Sequence, residues 1–257
     1  MKTVIITGAN SGIGEATAYK FATEGYNLIL IARSLDKLKK VQEKCIAISS
    51  KKNDNLKIEV LSEDINHFDK PQVREKFLQV IANSPQVSIL INNAGIYERN
   101  STGDSNIQIW ENMFQTNLFG SVKITDIILP IFQKNKSGSI VNVASTLGIK
   151  PAAGTSAYSA SKAAMINWTT TLAQEGGAFN IRANAICPGI IETPIHPFYE
   201  ADQDAKEKIH AGIKDMQLLN KIGDPKYVAE SIYFLATDLS QWTTGIALNV
   251  DGGINIK

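Results

Sequence analysis

The sequence has little of several features that mark special classes of protein. Its 257 residues include two cysteines, Cys45 and Cys187, which lie far apart and form no CxxC pair. A disulfide framework and a cysteine-based zinc site are therefore not indicated, and we expect both thiols to be buried. The longest uninterrupted hydrophobic runs, at 28–32 and 232–236, have five residues. A helix that spans a bilayer needs about 18 apolar residues, so no transmembrane helix is expected.

The chain also lacks an excess of charge of either sign. Lysine and arginine together number 26 and the acidic residues 25, which gives a net charge of +1 at pH 7. Because no long-range field attracts a polyanion, we expect neither a nucleic-acid partner nor a membrane partner. Residues 1–8 hold one lysine and only three consecutive apolar residues, too few for a signal-peptide core, so we expect the protein in the cytoplasm.

Short β-branched runs alternate with longer segments in which apolar residues recur three and four positions apart. The first pattern predicts strands and the second predicts helices. Their alternation is typical of an α/β fold with a parallel sheet covered by helices on both faces. Seven strands are expected, at 3–7, 28–32, 57–61, 87–91, 139–143, 181–186 and 246–250. Helices are expected at 14–24, 35–48, 71–82, 107–132 and 157–175, and a helix start is indicated at Asp224-Pro225.

Nothing in the sequence divides the chain into parts. It shows no internal repeat and no linker rich in proline, glycine or serine, so we expect a single domain over 1–257. The segment 192–220 has no strand signal and mixes polar with aromatic and aliphatic residues, which is typical of a substrate lid. The three histidines follow no triad or metal-ligand spacing, so no metal site is expected. His196, in the lid, is the one histidine placed to touch a substrate.

A glycine-rich loop, TGANSGIG at 7–14, follows the first predicted strand and precedes the first predicted helix. Glycines let a backbone approach a phosphate closely, and a helix N-terminus offers unpaired amides at the positive end of its dipole. The loop therefore predicts a dinucleotide pyrophosphate site formed by Gly8, Asn10, Ser11, Gly12, Ile13 and Gly14. Its GxxxGxG spacing differs from the usual GxGxxG, so the loop alone leaves the family open.

The residues after the second strand indicate which dinucleotide is bound. A site for NAD usually has an acidic residue where this chain has Ala32, followed by Arg33 and Ser34. A guanidinium beside a hydroxyl suits the 2′-phosphate of NADP(H), which a carboxylate would repel, so we expect NADP(H). Asp64, with its neighbour Ile65, is placed to contact the adenine, although a helix cap or a turn is an almost equal interpretation of the aspartate.

Candidate catalytic residues lie near the ends of predicted strands. Tyr158 and Lys162 are four residues apart and so share one face of a helix, while Ser145 follows the fifth strand. In an open parallel sheet, ligands bind beyond the carboxyl ends of the strands. Four segments that each follow a strand are expected to converge there: the Gly8 loop, 92–95, Ser145 and 188–189.

Together these motifs resemble the short-chain dehydrogenase/reductase family over essentially the whole chain. They are TGANSGIG, NNAG at 92–95, Ser145, YSASK at 158–162, PGIIET at 188–193 and TGIALNVDGG at 244–253. The resemblance implies one Rossmann-type domain in which Tyr158 is the general acid or base and Ser145 holds the substrate oxygen. Lys162 would bind the cofactor ribose and favour the phenolate by lowering the pKa of Tyr158. Asn117 matches the family's fourth catalytic residue, which holds a water that relays protons through Lys162.

The resemblance also implies further cofactor contacts and an assembly. Asn92 would brace the sheet, Ala94 and Gly95 would lie against the cofactor, and Ile191 and Thr193 would hold the nicotinamide carboxamide. Pro188 and Gly189 complete this set of cofactor-binding residues. The family forms tetramers or dimers through its long helices and C-terminal strand, so we expect a homotetramer or homodimer.

Hydride transfer between NADP(H) and a small carbonyl or alcohol compound is therefore the leading hypothesis. A narrower version is reduction of a 3-oxoacyl thioester on an acidic carrier protein, which would dock on a basic patch; Lys134 and Lys136 are its candidates. A third hypothesis is a non-catalytic NADP(H) sensor. Such proteins commonly lose the tyrosine or the lysine, and this chain has both.

Overall fold

One sheet of seven parallel strands organises the molecule. The computed structural model describes residues 1–50, 55–103, 106–196, 199 and 202–257. The strands are β1 Thr3–Thr7, β2 Asn27–Ala32, β3 Ile58–Ser62, β4 Val87–Asn92, β5 Gly138–Val143, β6 Ile181–Pro188 and β7 Ala247–Val250. Their order in the sheet is β3-β2-β1-β4-β5-β6-β7, and each neighbouring pair is parallel. The predicted seven-stranded parallel sheet is confirmed.

Helices connect the strands and cover both faces of the sheet, as predicted. They are α1 Gly12–Thr23, α2 Leu35–Ser50, α3 Pro71–Ala82, α4 Ile107–Phe114, α5 Gly120–Asn135, α6 Ser156–Gly176, α7 Gln203–Met216 and α8 Pro225–Ala236. The predicted start at Asp224-Pro225 is confirmed: the aspartate side chain accepts from the amide of Lys226, and the proline occupies the first turn. In the part of the chain that the structure describes, none of these helices is both long enough and apolar enough to cross a membrane.

Two apolar layers stabilise the sheet, one on each face. Alternate residues of a strand point to opposite faces, so Val4 and Ile6 join one layer while Ile5, between them, joins the other. The first layer packs against α1, α2 and α8, and the second against α3, α5 and α6. Both cysteines are free and buried, as expected. Because both faces are covered, the strands are apolar on both sides, which explains the continuous hydrophobic runs in the sequence.

The long predicted helix 107–132 is interrupted by a widened turn. A π-helical segment, Gln115–Phe119, lies between α4 and α5, and the amide of Gly120 donates to the oxygen of Gln115, five residues earlier. Such segments inside α-helices are rare and occur often at functional sites. Asn117 lies at the centre of this segment and is fully buried.

Candidate active site

The carboxyl ends of β1, β4, β5 and β6 lie side by side in the middle of the sheet. Consequently the four segments that were expected to converge do so: the glycine loop follows β1, residues 93–95 follow β4, Ser145 follows β5, and Gly189 follows β6. The site is therefore assembled from connections that are distant in sequence but adjacent at one edge of the sheet.

The glycines of the loop are required by close contacts. Gly8 has φ +64°, and a Cβ built there would lie 2.9 Å from Cα of Ala94. A Cβ on Gly14 would clash with the carbonyl oxygen of Gly8. Ser11 caps α1 only through its extended backbone, since its side chain accepts no hydrogen bond from the helix amides. The first amides of α1 are thus not used by that side chain, and the loop fits a phosphate group.

Two residues that sequence reasoning did not single out hold this loop in place. The amide group of Asn93 donates to the carbonyl oxygens of Thr7 and Gly8, at 2.9 and 3.2 Å. In return, the hydroxyl of Thr7 accepts from the backbone amides of Asn93 and Ala94, at 2.9 and 3.0 Å. These bonds join the end of β1 to the end of β4. The sequence signals were a threonine before the first glycine and an asparagine within NNAG.

Arg33 and Asp64 lie farther along the same edge, after β2 and β3. Arg33 is exposed, and its carbonyl oxygen accepts from the hydroxyl of Ser62 at 2.9 Å. Asp64 caps the short turn Ile65–His67 by accepting from the amide of Asn66 at 2.9 Å. The cap interpretation of Asp64 is therefore correct, while its adenine contact stays a prediction. The side chain of Ile65 is buried, and it packs so closely on Gly120 that a Cβ there would lie 2.9 Å from it.

Tyr158 and Lys162 lie in the first turns of α6 and are both buried, with 8% and 3% of their surface exposed. The ammonium of Lys162 donates to the carbonyl oxygen of Val143, the last residue of β5, at 2.8 Å, and it lies 5.8 Å from the centre of the Tyr158 ring. The Ser145 side chain interacts with the phenol of Tyr158 in the sense that lowers the phenol's pKa. The structure thus brings together the serine, the tyrosine and the lysine that the sequence predicted.

A glycine allows Ser145 to reach Tyr158. The hydroxyl of Ser145 accepts from the amide of Leu147 at 3.1 Å and so caps the turn Thr146–Gly148. At the end of this turn, a Cβ on Gly148 would lie 2.8 Å from the carbonyl carbon of Lys162. The turn therefore rests directly on the backbone of α6, and only glycine permits that approach.

Burial changes the pKa values of both α6 side chains. It raises the pKa of Tyr158 to about 12, although the interaction with the Ser145 side chain opposes the rise. It lowers the pKa of the Lys162 ammonium to about 8. Burial thus acts against the predicted lowering of the Tyr158 pKa, because loss of water outweighs the other interactions of the phenol. At neutral pH the phenol therefore holds its proton.

Asn117 uses its carboxamide to fix the segment after β4. Its oxygen accepts from the amide of Ile96 at 2.8 Å, and its nitrogen donates to the carbonyl oxygen of the same residue at 3.0 Å. The nitrogen also donates to the hydroxyl of Ser161, at 3.1 Å. A Cβ on Gly95 would lie 3.2 Å from the Asn117 oxygen and 3.5 Å from the Lys162 nitrogen, so the asparagine and the lysine flank this glycine.

The other predicted cofactor residues lie at the same edge, with one exception. Thr193 is buried against Gly12, whose Cβ would lie 3.0 Å from the threonine methyl, and Ile191 forms a backbone bridge with Gly223. Ala94 lies against Gly8, as above. The side chain of Asn92 turns inward instead, where it donates to Asn142 and Thr125 at 2.8 and 3.1 Å. Asn92 thus braces the sheet, as expected of it. Asn10 and Ile13 lie partly buried in and after the loop, and Pro188 ends β6.

The predicted basic patch does not lie beside the site. Lys134 and Lys136 are exposed just before β5 begins, at the amino edge of the sheet and opposite Tyr158, so they form no basic patch beside the site.

In the predicted lid, positions 197, 198, 200 and 201 lie outside the described residues. The rest of that segment contains α7, and its neighbours Leu218 and Leu219 are exposed.

Comparison with known proteins agrees with this geometry. A family model described as short chain dehydrogenase matches residues 2–204. The chain is 34% identical to the 3-oxoacyl-[acyl-carrier-protein] reductase FabG of Thermotoga maritima, over 99% of this chain and 98% of the relative. It is 32% identical to the oxidoreductase UcpA of Salmonella typhimurium, over 98% of this chain and 94% of the relative.

Solved structures show the same fold. Levodione reductase superposes with a TM-score of 0.91 at 27% identity, covering 99% of this chain and 97% of that one. ElxO, solved with NADP bound, has a TM-score of 0.88 at 28% identity, covering 100% and 99% of the two chains. A Rossmann-type sheet with a serine, a tyrosine and a lysine at its carboxyl edge defines a class of oxidoreductases. The chain belongs to the short-chain dehydrogenase family.

Proposed function

We propose that this protein transfers a hydride between NADP(H) and a carbonyl or alcohol substrate, with Asn117, Ser145, Tyr158 and Lys162 as its catalytic residues. One observation carries the proposal. Tyr158 interacts with the side chain of Ser145 and lies beside the Lys162 ammonium at the carboxyl edge of the sheet, next to a glycine loop that fits a dinucleotide phosphate.

The cofactor assignment rests on shape and charge. The pyrophosphate would be held by the loop from Gly8 to Gly14 and the amides at the start of α1. Arg33 is exposed at the end of β2, and the described residues contain no ion pair of its guanidinium, so it is available to a 2′-phosphate. Similarity to a protein solved with NADP bound supports the same choice. When bound, NADPH supplies the hydride.

The protein's own groups would bind the substrate oxygen and supply the proton. The hydroxyls of Ser145 and Tyr158 would both donate to the carbonyl oxygen and polarise it. Because burial keeps the phenol of Tyr158 protonated at neutral pH, it is poised to give its proton to the developing alkoxide. The ammonium of Lys162 would stabilise the phenolate that remains, and Asn117 would keep the segment at Gly95 and Ile96 in place.

A second candidate is reduction of a 3-oxoacyl group carried by an acyl carrier protein. The similarity to a 3-oxoacyl-[acyl-carrier-protein] reductase over nearly the whole chain favours it. The position of Lys134 and Lys136 does not, since a carrier bound there would be at the wrong edge of the sheet. No observation favours the sensor hypothesis, and the presence of both Tyr158 and Lys162 argues against it.

The surroundings of the site suggest a lid, an assembly and a location. We propose that 192–220 covers the substrate, since Thr193 at its start already contacts the glycine loop, and that 1–257 acts as one domain. An assembly of two or four copies would cover apolar side chains that the described surface exposes, among them Leu239, Trp242 and Ile256. Two free, buried thiols fit a reducing compartment, and we propose the cytoplasm.

Cofactor oxidation by the purified protein tests the proposal directly. Ketones, aldehydes and 3-oxoacyl thioesters are offered with NADPH or NADH, and Tyr158→Phe is measured in parallel. We expect turnover with NADPH, a loss of about 100-fold to 10,000-fold in kcat for Tyr158→Phe, and unchanged NADPH binding by that variant. Undiminished turnover by Tyr158→Phe would remove the phenol from the mechanism.

The same assay tests the choice of dinucleotide. Replacing Arg33 by alanine removes a charge-assisted contact to the 2′-phosphate, so the preference for NADPH over NADH should fall about tenfold or more. Lys37→Ala, which removes an exposed cation in the first turn of α2, serves as a control and should change the preference little. Equal losses with both cofactors in Arg33→Ala would contradict the assignment.

A further inference from the structure

The helix α6, which contains the proposed catalytic tyrosine and lysine, is capped by a residue from another segment. Among the residues that the structure describes, no amide of α6 donates to the side chain of Thr155, its N-cap residue. The hydroxyl of Thr155 instead donates to the carbonyl oxygen of Ala152 at 2.7 Å. The carboxamide oxygen of Asn100, from the segment after β4, accepts from the amide of Ala157 at 3.0 Å. Asn100 thus satisfies an amide that a local N-cap usually binds.

The backbone of Asn100 is joined to the same turn. Its amide donates to the carbonyl oxygen of Gly154 at 3.0 Å, and its carbonyl oxygen accepts from the amide of Ser156 at 3.5 Å. Only 6% of the surface of Asn100 is exposed, and Ala157 is fully buried. Without the Asn100 side chain, the amide of Ala157 would lose its partner in a buried position, which is costly.

Asn100 also forms one end of a short strap, residues 96–100, that packs on the catalytic phenol. At the other end of the strap, Asn117 binds both the amide and the carbonyl oxygen of Ile96, at 2.8 and 3.0 Å. Between the two ends, the ring of Tyr97 stands edge-on to that of Tyr158, with centroids 5.0 Å apart and planes at 87°. The attachment of Asn100 to α6 therefore fixes the strap and the backbone next to Tyr158 together.

One half of the Asn100 carboxamide makes this contact. Its oxygen is bound to the amide of Ala157, whereas its nitrogen is buried and has no hydrogen-bond partner among the described residues. An aspartate at position 100 would consequently keep the contact and lose no other hydrogen bond. A carboxylate is also a favourable cap at the positive end of a helix dipole. The start of α6 thus requires an acceptor at this position rather than a whole carboxamide.

We propose that Asn100 is a positioning residue, which holds the first turn of α6 so that the phenol of Tyr158 stays aligned with the substrate oxygen. The inference rests on the proposed function, in which that phenol donates a proton. Asn100 acts through Ala157, which directly precedes Tyr158 in the chain. A misplacement of about 1 Å at a reacting group can slow a reaction about 100-fold. Loss of the Asn100 contact should therefore slow molecules that are otherwise correctly folded.

Turnover per folded molecule tests the proposal. The wild type and Asn100→Ala are compared in NADPH oxidation with the fastest substrate of the panel of ketones, aldehydes and 3-oxoacyl thioesters. NADPH-binding sites are counted by fluorescence titration, so that kcat refers to folded molecules. We expect kcat per site to fall about tenfold in Asn100→Ala, while the Kd for NADPH stays within about twofold.

The solvent deuterium isotope effect on kcat gives a second measurement. It should be larger in Asn100→Ala than in the wild type, because proton donation by a misaligned phenol becomes slower relative to the other steps. If Asn100 only stabilised the fold, both kcat per site and the isotope effect would keep their wild-type values.

Two further variants separate positioning from folding. Asn100→Asp keeps the acceptor, so it should fold even where alanine does not, and its kcat per site should lie within about threefold of the wild type. Asp224→Ala is the matched control, since it removes an acceptor that binds the amide of Lys226 at 2.9 Å, at the start of α8 on the other face of the sheet. It should leave kcat per site unchanged.

The outcomes distinguish this inference from the proposed function. A wild-type kcat per site in Asn100→Ala would overturn the positioning role while the proposed function stands, and so would a value in Asn100→Asp more than about tenfold below the wild type. An equal loss in Asp224→Ala would also overturn it, because the effect would then follow from the loss of any helix cap. Absence of turnover by the wild type with every substrate of the panel would overturn both.

Discussion

The two edges of the sheet each contain a largely buried cation, and the two cations differ in how many hydrogen bonds they make. At the carboxyl edge, Lys162 makes one hydrogen bond within the described residues, to the carbonyl oxygen of Val143. At the amino edge, the guanidinium of Arg182, the second residue of β6, makes five. Its partners are Leu235, Ser240, Thr243, Thr237 and Ser139, at 2.8–3.3 Å.

The difference separates a structural cation from the one that we propose to be catalytic. Arg182 uses its donors to bind the last carbonyl groups of α8, and a cation there also interacts favourably with the helix dipole. Lys162 is more deeply buried than Arg182 but has fewer hydrogen-bond partners. The lowering of its pKa to about 8 indicates that its charge is unfavourable in this environment. A group kept at the expense of stability is typical of an active site.

The largest expected effect comes from removing the carboxyl-edge cation. Lys162→Met should reduce kcat/KM about 100-fold to 10,000-fold, because the phenolate of Tyr158 and the cofactor lose their positive neighbour. Since the ammonium is buried with one partner, the unfolding free energy at pH 7 should rise by about 1 kcal/mol. Kinetics and urea unfolding of the same preparation measure both effects. A variant that loses activity and stability together would make Lys162 another structural cation.

The amino-edge cation should show the reverse behaviour. Arg182→Met leaves five acceptors without their donor, so we expect the unfolding free energy to fall by about 3 kcal/mol. Turnover per folded molecule should stay within about twofold of the wild type, because no residue of the catalytic edge is touched. Arg182→Lys, with three donors and no planar fork, should recover less than half of the stability. A large loss of turnover per folded molecule would show that the two edges are coupled.

The pKa of Lys162 predicts a smaller effect that sharpens the contrast. Its folded value is about 8, below the ordinary value of 10.5. Between these values the unfolded chain holds the proton and the folded chain does not, so this side chain makes stability rise with pH across the window. From about pH 7.5 to about pH 9.5, the stability of the wild type should gain about 2 kcal/mol relative to that of Lys162→Met. Urea unfolding at several pH values measures the difference, and a flat difference would mean that the ammonium is not desolvated.

The sheet could be predicted because its strands carry an unambiguous pattern. The bounds of β1 were predicted correctly and those of the other strands to within two residues, since short runs buried on both faces, separated by helical periods, have few alternatives. The serine, the tyrosine and the lysine of the site were predicted for a related reason. The ends of parallel strands meet at one edge, so residues after strands are brought together whatever their separation in the sequence.

What could not be predicted depends on burial and on side-chain direction. The pKa of Tyr158 was expected to fall, since a lysine four residues away is visible in the sequence and the desolvation of the phenol is not. Lys134 and Lys136 were placed near the site because a helix end has no edge assigned to it until the topology is known. Tyr97 was missed because a tyrosine after NNAG carries no motif. Only the structure shows that its ring lies edge-on to that of Tyr158, with centroids 5.0 Å apart.

The smallest expected effect concerns the two ends of α8, which link the edges. At its C-terminal end the helix is bound by Arg182, and at its N-terminal end Asp224 accepts from the amide of Lys226 at 2.9 Å and forms an ion pair with the ammonium of the same residue at 3.0 Å. Asp224→Ala should lower the unfolding free energy by about 1 kcal/mol, the usual contribution of an N-cap, and so by about a third of the effect of Arg182→Met. Asp224→Asn keeps a capping oxygen and should recover most of the loss in urea unfolding. If asparagine is as destabilising as alanine, the charge of the aspartate matters more than its cap, and the exposed ion pair with Lys226 would be worth more than such pairs usually are.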